Sequence, residues 1–167
     1  MKTLILPMLL FSGLANGQKI FFDKTDPFTK ERTVSTDNVK LVPSILEAGT
    51  SAIISKEKKS LAITFIAPKF LDIKTSTSDT TSKACMIMLS SGEVLIGEWK
   101  SDNEVPIGAK IYTTSSFAFT EDAFKKIAAS TVTNIKITGT IVVGLFEIKE
   151  KAKDKLPKLC SVLLSAI

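Results

Sequence analysis

The sequence predicts an α+β fold, in which a mostly antiparallel, curved sheet of seven to nine strands carries two helices. Three observations lead to this prediction. Apolar residues recur at every second position through most of the chain, polar turn-forming residues separate these runs, and the apolar spacing becomes helical at the C-terminus. Because an apolar sheet face needs a covering layer, we expect the helix after Thr120 and the C-terminal helix to pack on the sheet.

The chain has 167 residues, of which 44% are hydrophobic and 23% are charged, a composition typical of one globular domain. Residues 1–17 resemble a secretory signal peptide, with Lys2 before a short apolar stretch and Ala15 and Gly17 near the expected cleavage point. We therefore expect residues 18–167 to form a single exported domain, periplasmic or extracellular. No later apolar run approaches the roughly 20 residues that span a bilayer, so no transmembrane segment is expected after signal removal.

The first half of the mature chain predicts two hairpins. Asp26 and Pro27 supply the turn chemistry of the first. Residues 44–48 fit either an extended segment or a single helical turn, and residues 69–83 form a loop rich in hydroxyl groups. The strands predicted in this half are residues 19–24, 31–35, 51–55 and 60–67, and residues 39–42 are left open as a further strand.

The second half predicts a further hairpin, turned at Ser91 and Gly92, and a polar connection over residues 101–108. Thr120 has the character of a helix cap, because two acidic residues follow it in the first turn. Asp154 is the expected cap of the C-terminal helix. The strands predicted in this half are residues 84–89, 93–100, 110–119, 133–138 and 141–148.

Several classes of chemistry are excluded by composition. The chain has no histidine, which removes Ser-His-Asp and Cys-His catalysis and the commonest transition-metal ligand. Because the chain also has only two cysteines, we expect no metal site. The sequence contains no glycine-rich phosphate loop, so we expect no cofactor. Arg32 is the only arginine, and the lysines are scattered among acidic residues, so nucleic acid is not an expected partner.

The two cysteines leave two alternatives. Cys85 lies in an apolar strand and Cys160 on the apolar stripe of the last helix. In an oxidising compartment they could form a disulfide, whereas buried cysteines are also often inert free thiols.

Aromatic and acidic residues provide the candidate binding and catalytic groups. Trp99 and Tyr112 are the only tryptophan and the only tyrosine, and each either contacts a ligand or packs in the core. The carboxylates cluster beside predicted turns, where solubility and local hydrogen bonding explain them equally well. Two such acids in one cleft would permit glycoside hydrolysis. The clustered acids are Asp23, Asp26, Glu98, Asp102 and Glu104.

The layout resembles that of small exported bacterial proteins of unknown function. The resemblance is carried by the signal peptide, the opening strand that begins Lys19-Ile20, the strand turned by Ser91-Gly92, the helix after Thr120 and the closing amphipathic helix. It implies the compartment and the architecture, and it transfers no site residues.

We therefore expect an exported, non-catalytic protein that binds a protein or glycan partner at the cell envelope. The alternative is a carboxylate-dependent hydrolase acting on envelope polysaccharide, which requires two of the clustered acids to face each other in a cleft. A structural accessory subunit would instead expose a large apolar patch or an unpaired strand edge.

Overall fold

The computed structural model describes residues 18–71, 73, 83–139 and 144–167. The predicted signal peptide and most of the predicted loop at residues 69–83 lie outside the described residues. Within them, the chain forms ten strands and two α-helices. The strands are β1 Ile20–Thr25, β2 Arg32–Thr36, β3 Val39–Val42, β4 Leu46–Ile54, β5 Lys59–Pro68, β6 Ala84–Leu89, β7 Val94–Ile107, β8 Lys110–Phe119, β9 Val132–Ile137 and β10 Gly144–Glu147. The helices are α1 Glu121–Ala128 and α2 Lys155–Ala166.

All described strands belong to one antiparallel sheet. Its order is β1-β2-β4-β5-β8-β7-β6-β9-β10, and β3 pairs with β4 beside this path. The sheet is open and curved, with helices packed on it, which confirms the predicted fold class. Ten strands are present in the described part of the chain, where the sequence predicts seven to nine.

The alternating pattern of β5 divides the sheet into two faces. Leu61, Ile63, Phe65 and Ala67 are buried, and the residues between them are partly exposed. The helices lie on the buried side, which we call the covered face, and we call the other side the open face. Side chains from β2, β4, β5, β6, β8 and β9 join those of the helices in one hydrophobic core on the covered face.

Each helix packs on the sheet through apolar side chains. Thr120 caps α1 as predicted, because its Oγ1 accepts a hydrogen bond from the backbone N–H of Ala123 at 3.2 Å. Phe124 of α1 meets Phe119 of β8 edge to face, with ring centroids 6.3 Å apart. The helix α2 packs against α1 and against β2, β3 and β4. Its buried residues are Leu156, Pro157, Leu159, Cys160 and Leu163.

Two local predictions differ from the structure. The sequence predicts a connection over residues 101–108, but β7 continues to Ile107. The chain then reverses through a two-residue turn at Gly108 and Ala109, where Gly108 has the positive φ that such a turn requires. Asp154 precedes α2 but makes no side-chain cap, because its backbone (φ −94°, ψ −6°) is helical and its carboxylate pairs with Lys158.

The remaining boundaries shift by a few residues. The open choice at residues 44–48 resolves into a turn ending at Ile45, followed by β4. The last predicted strand, at residues 141–148, is described from Gly144 to Glu147, and its first three residues lie outside the described part of the chain.

Candidate functional site

Tyr112 lies on the open face, at the end of the sheet where β3, β4, β5 and β8 meet. It pairs with Pro68 across β5 and β8, and the neighbouring register pair of the open face is Glu47 with Ile66. The side chains enclose a depression of about 590 Å³. We call it the Tyr112 groove and define it by Lys40, Glu47, Ile66, Lys69, Lys110 and Tyr112.

The Tyr112 groove combines an excess of positive charge, three lysines against the carboxylate of Glu47, with apolar surface. Lys69 makes an ion pair with Glu104, with 3.4 Å between Nζ and Oε1. Among the described residues, Lys40 and Lys110 have no carboxylate within 4 Å of their ammonium groups, although both line the groove. Ile111, 44% exposed, adds apolar surface to the rim. The groove is therefore suited to an anionic group attached to a partly apolar body.

Trp99, the other predicted binding residue, lies on the covered face. It pairs with Phe117 across β7 and β8, and it packs against the hydrophobic core while remaining partly buried. Its indole Nε1–H is buried and has no hydrogen-bond partner within the described part of the chain. This position matches the core-packing alternative. Of the two predicted binding residues, Tyr112 is therefore the one that lines a described groove.

The two cysteines are free thiols and both are fully buried, Cys85 in β6 and Cys160 in α2. Burial raises the pKa of both thiols, because the thiolate would lose its hydration. A thiol held in its protonated form is a weak nucleophile, so neither cysteine has the setting of a reactive group. The arrangement corresponds to the inert-thiol alternative.

Glu98 and Asp102, two of the clustered acids of β7, do not share a cleft. Glu98 pairs with Ala118 on the open face, whereas Asp102 pairs with Ser115, which is buried on the covered face. A β-bulge between Trp99 and Ser101 causes the change of face.

Glu98 does line a depression of about 250 Å³ together with Glu121. Glu121, however, is held by Lys59 at 3.2 Å and by Lys125 at 2.9 Å, and these lysines lower its pKa. This depression therefore does not present two carboxylates that could take separate acid and base roles.

The acids near the N-terminus have structural partners. Asp23 accepts two hydrogen bonds from the guanidinium of Arg32, at 2.8 and 2.7 Å, and this arginine lowers the pKa of the carboxyl. The carboxylate of Asp26 accepts the backbone N–H groups of Phe28 and Thr29 in the turn, which lowers its pKa as well. Both groups stabilise the first hairpin.

A buried polar cluster on the covered face was not predicted. The ammonium of Lys83 donates to the Ile73 carbonyl at 2.7 Å, to Asp102 Oδ1 at 2.5 Å and to Ser115 Oγ at 3.1 Å. The Lys83 side chain is fully buried, and its Nζ lies 5.9 Å from the centroid of the Phe117 ring. These hydrogen bonds join Lys83 to Ile73, Asp102 and Ser115, which come from three other segments of the chain, so the cluster has a structural role. In the sequence, Lys83 merely ends a hydroxyl-rich run.

Phe21 is a second feature that sequence reasoning missed. It lies in a β-bulge of the edge strand β1, is 74% exposed and lines a depression of about 330 Å³ on the open face. The signal in the sequence is the pair Phe21-Phe22, because adjacent residues of a regular strand point to opposite faces, so that one of two adjacent phenylalanines lies away from the core.

The open face also carries an apolar strip away from the Tyr112 groove. Ile96 and Leu145 are 62% and 63% exposed, and Met88 and Val94 pair beside them across β6 and β7. An exposed strip of this kind is what the accessory-subunit alternative requires.

No group of three or more metal-ligating side chains occurs among residues 18–71, 73, 83–139 and 144–167. Neither helix of this described part is long and apolar enough to cross a membrane. Comparisons with protein-family models, with curated proteins and with solved structures found no match to this chain.

Proposed function

We propose that this chain is an exported, non-catalytic protein that binds a partner or ligand at the cell envelope through the Tyr112 groove. The supporting observation is the position of the groove on the open face, where the paired register positions of β4, β5 and β8 bring a tyrosine, aliphatic side chains and three lysines around one depression. The opposite face is occupied by α1 and α2, so the open face is the broad surface of the sheet available to a ligand.

Electrostatics support binding at this position. Lys40 and Lys110 line the groove without an ion-pair partner among the described residues, and a ligand anion would supply one. An exposed ion pair contributes only about 0.2–1 kcal/mol, so the affinity must come mainly from burying Tyr112 and the aliphatic rim against the ligand. Tyr112 is therefore the residue whose truncation should weaken binding most.

The non-catalytic part of the proposal is supported by the positions of the acids. Glu98 and Asp102 lie on opposite faces of the sheet, and Asp102 is paired with a buried lysine. Export is supported by the signal-like composition of residues 1–17.

The test uses the protein expressed from the full chain and purified in its exported form. Immobilised protein is incubated with detergent-free envelope extract from the native source, and retained material is quantified as protein and as carbohydrate. The variants are Tyr112→Ala and Lys110→Glu in the groove, with Lys136→Glu as a matched charge reversal on the open face outside it. Ile96→Asp probes the apolar strip.

We expect Tyr112→Ala and Lys110→Glu to retain less material than wild type, and Lys136→Glu and Ile96→Asp to retain as much. Equal retention by all four variants would exclude the groove as the binding site. Loss in Ile96→Asp alone would favour the accessory-subunit alternative. Release of new reducing ends from the extract by wild type, but not by heat-denatured protein, would contradict the non-catalytic proposal and favour the hydrolase.

A further inference from the structure

A second depression adjoins the Tyr112 groove on the open face. We call it the Phe21 hollow and define it by Phe21, Ser35, Asp37, Asn38, Ser51 and Thr64. The register pair of Gly49 with Thr64 lies in the hollow, and the pair of Glu47 with Ile66 lies in the groove, two residues further along the same two strands. Two residues of a strand span about 7 Å, so one extended ligand can reach both depressions.

Four of the five polar side chains that define the Phe21 hollow have no hydrogen-bond partner among the described residues. Among the described residues, the side chains of Ser35, Asp37, Asn38 and Ser51 make no hydrogen bond, while Thr64 bonds to Ser116 Oγ at 2.7 Å. Hydroxyl, amide and carboxylate groups together offer both donors and acceptors.

Asn38 reaches over Gly49, where an added Cβ would overlap its Oδ1. The absence of a side chain at Gly49 is therefore what leaves room for the amide in the hollow.

This set of groups has the chemistry of a saccharide site. The exposed ring of Phe21 provides an apolar face for the C–H groups of a sugar ring, as aromatic rings do in ligand pockets. Asp37 and Asn38 stand beside it and can bond adjacent hydroxyl groups, the carboxylate as acceptor and the amide as donor and acceptor.

The charges of the two depressions give the ligand a direction. Asp37 places negative charge in the Phe21 hollow, whereas in the Tyr112 groove Lys40 and Lys110 outnumber the carboxylate of Glu47. An anionic substituent is repelled at the first position and attracted at the second. The uncharged, hydroxylated part of a ligand belongs in the hollow and its acidic part in the groove.

We propose that the ligand of the open face is an anionic saccharide of at least two units, with a neutral sugar in the Phe21 hollow and an acid-bearing unit in the Tyr112 groove. This inference rests on the proposed function and names the ligand class of the same face. A uronate carboxylate and a phosphate ester would present the same charge to Lys40 and Lys110, so the shared chemistry is an acidic sugar.

The test measures affinities by calorimetry with the purified exported protein and four probes. The probes are a mixed oligosaccharide of mannose and uronate units, the same oligosaccharide carrying phosphate in place of uronate, neutral mannotetraose, and an acidic peptide of equal charge. The variants are Phe21→Ala in the hollow and Lys110→Gln in the groove. Phe28→Ala is the control, because Phe28 is a 91% exposed phenylalanine of the same hairpin that does not line the hollow.

We expect one of the acidic saccharides to bind more tightly than mannotetraose and the peptide. Phe21→Ala should weaken the affinity for both saccharide types about two- to tenfold and leave peptide affinity unchanged. Lys110→Gln should weaken the acidic probes about two- to fivefold and leave mannotetraose unchanged. Phe28→Ala should behave as wild type with every probe.

Three results would overturn the inference and leave the proposed function standing, provided that the groove variants lose envelope material. The first is tighter binding of the acidic peptide than of either saccharide. The second is an unchanged saccharide affinity in Phe21→Ala. The third is no binding of any probe. If the groove variants also retain envelope material as wild type does, the proposed function fails with it.

Discussion

Gly97 of β7 has no room for a side chain, because the ring of Phe119 lies against its backbone. A Cβ at this position would overlap the Cζ, Cε1 and Cε2 atoms of that ring. Phe119 is only 6% exposed and its ring packs edge to face on Phe124 of α1, so it cannot turn into solvent. Gly97→Ala therefore forces an overpacked core rather than a surface adjustment.

The expected cost of Gly97→Ala is about 1–3 kcal/mol in the free energy of unfolding, the range for overpacking a well-packed core. For a domain of this size that corresponds to a fall in Tm of about 2–12 °C. Urea unfolding followed by the fluorescence of Trp99, the only tryptophan, measures the change. Because a leucine lacks the overlapping ring atoms, Gly97→Ala with Phe119→Leu should be more stable than the sum of the single changes by about 0.5–3 kcal/mol.

Gly49→Ala is the matched control. The new Cβ meets the Oδ1 of Asn38, which is the end of an exposed side chain and can move away. We expect a change of no more than about 0.5 kcal/mol. Wild-type stability in Gly97→Ala, or no recovery in the double variant, would refute the conclusion that the Phe119 ring is the obstacle.

Three further predictions concern charged groups and thiols. Lys83→Met should lower the free energy of unfolding by about 3–5 kcal/mol in urea titrations, because it leaves the Asp102 carboxylate unpaired. Adding Asp102→Leu should recover part of this loss, and no recovery would argue against a coupled pair. Asp26→Ala should be less stable than wild type at neutral pH. Because turn N–H groups lower the pKa of Asp26 from 3.8, the difference should shrink as the pH falls below that value, and a difference independent of pH would contradict this role. Cys85 and Cys160 should resist Ellman's reagent in the native protein, and both should react after unfolding without reductant. A single thiol signal or none in the unfolded protein would mean that cysteine is oxidised.

The elements that sequence reasoning located are those with a local physical cause. Leu61, Ile63 and Phe65 alternate because one sheet face is buried, and this periodicity is visible without the structure. Thr120 was predicted as a cap because its hydroxyl satisfies a backbone donor within three residues. In both cases the interacting groups are neighbours along the chain.

Sequence reasoning failed where the local backbone path or distant residues decide the outcome. Asp154 is a good capping residue by type, but the backbone before α2 is already helical, and Lys158 takes its carboxylate. Lys83 becomes buried because Asp102 and Ser115 reach it from two other strands, which no spacing in the sequence reveals. The Tyr112 groove likewise requires β3, β4, β5 and β8 to be assembled in one order.

The bulge in β7 bears on the choice between the hydrolase and the binding alternatives. Without the extra residue between Trp99 and Ser101, regular alternation would put Ser101 rather than Asp102 opposite Ser115, and Asp102 would share the open face with Glu98. Acids on one face of the sheet are a first condition of the hydrolase alternative, because its two carboxylates must face the same cleft. The bulge instead buries Asp102 against Lys83 and leaves Glu98 alone among the clustered acids on its face of the described β7. The same backbone irregularity that builds the buried ion pair therefore weighs against hydrolysis and in favour of binding on the open face.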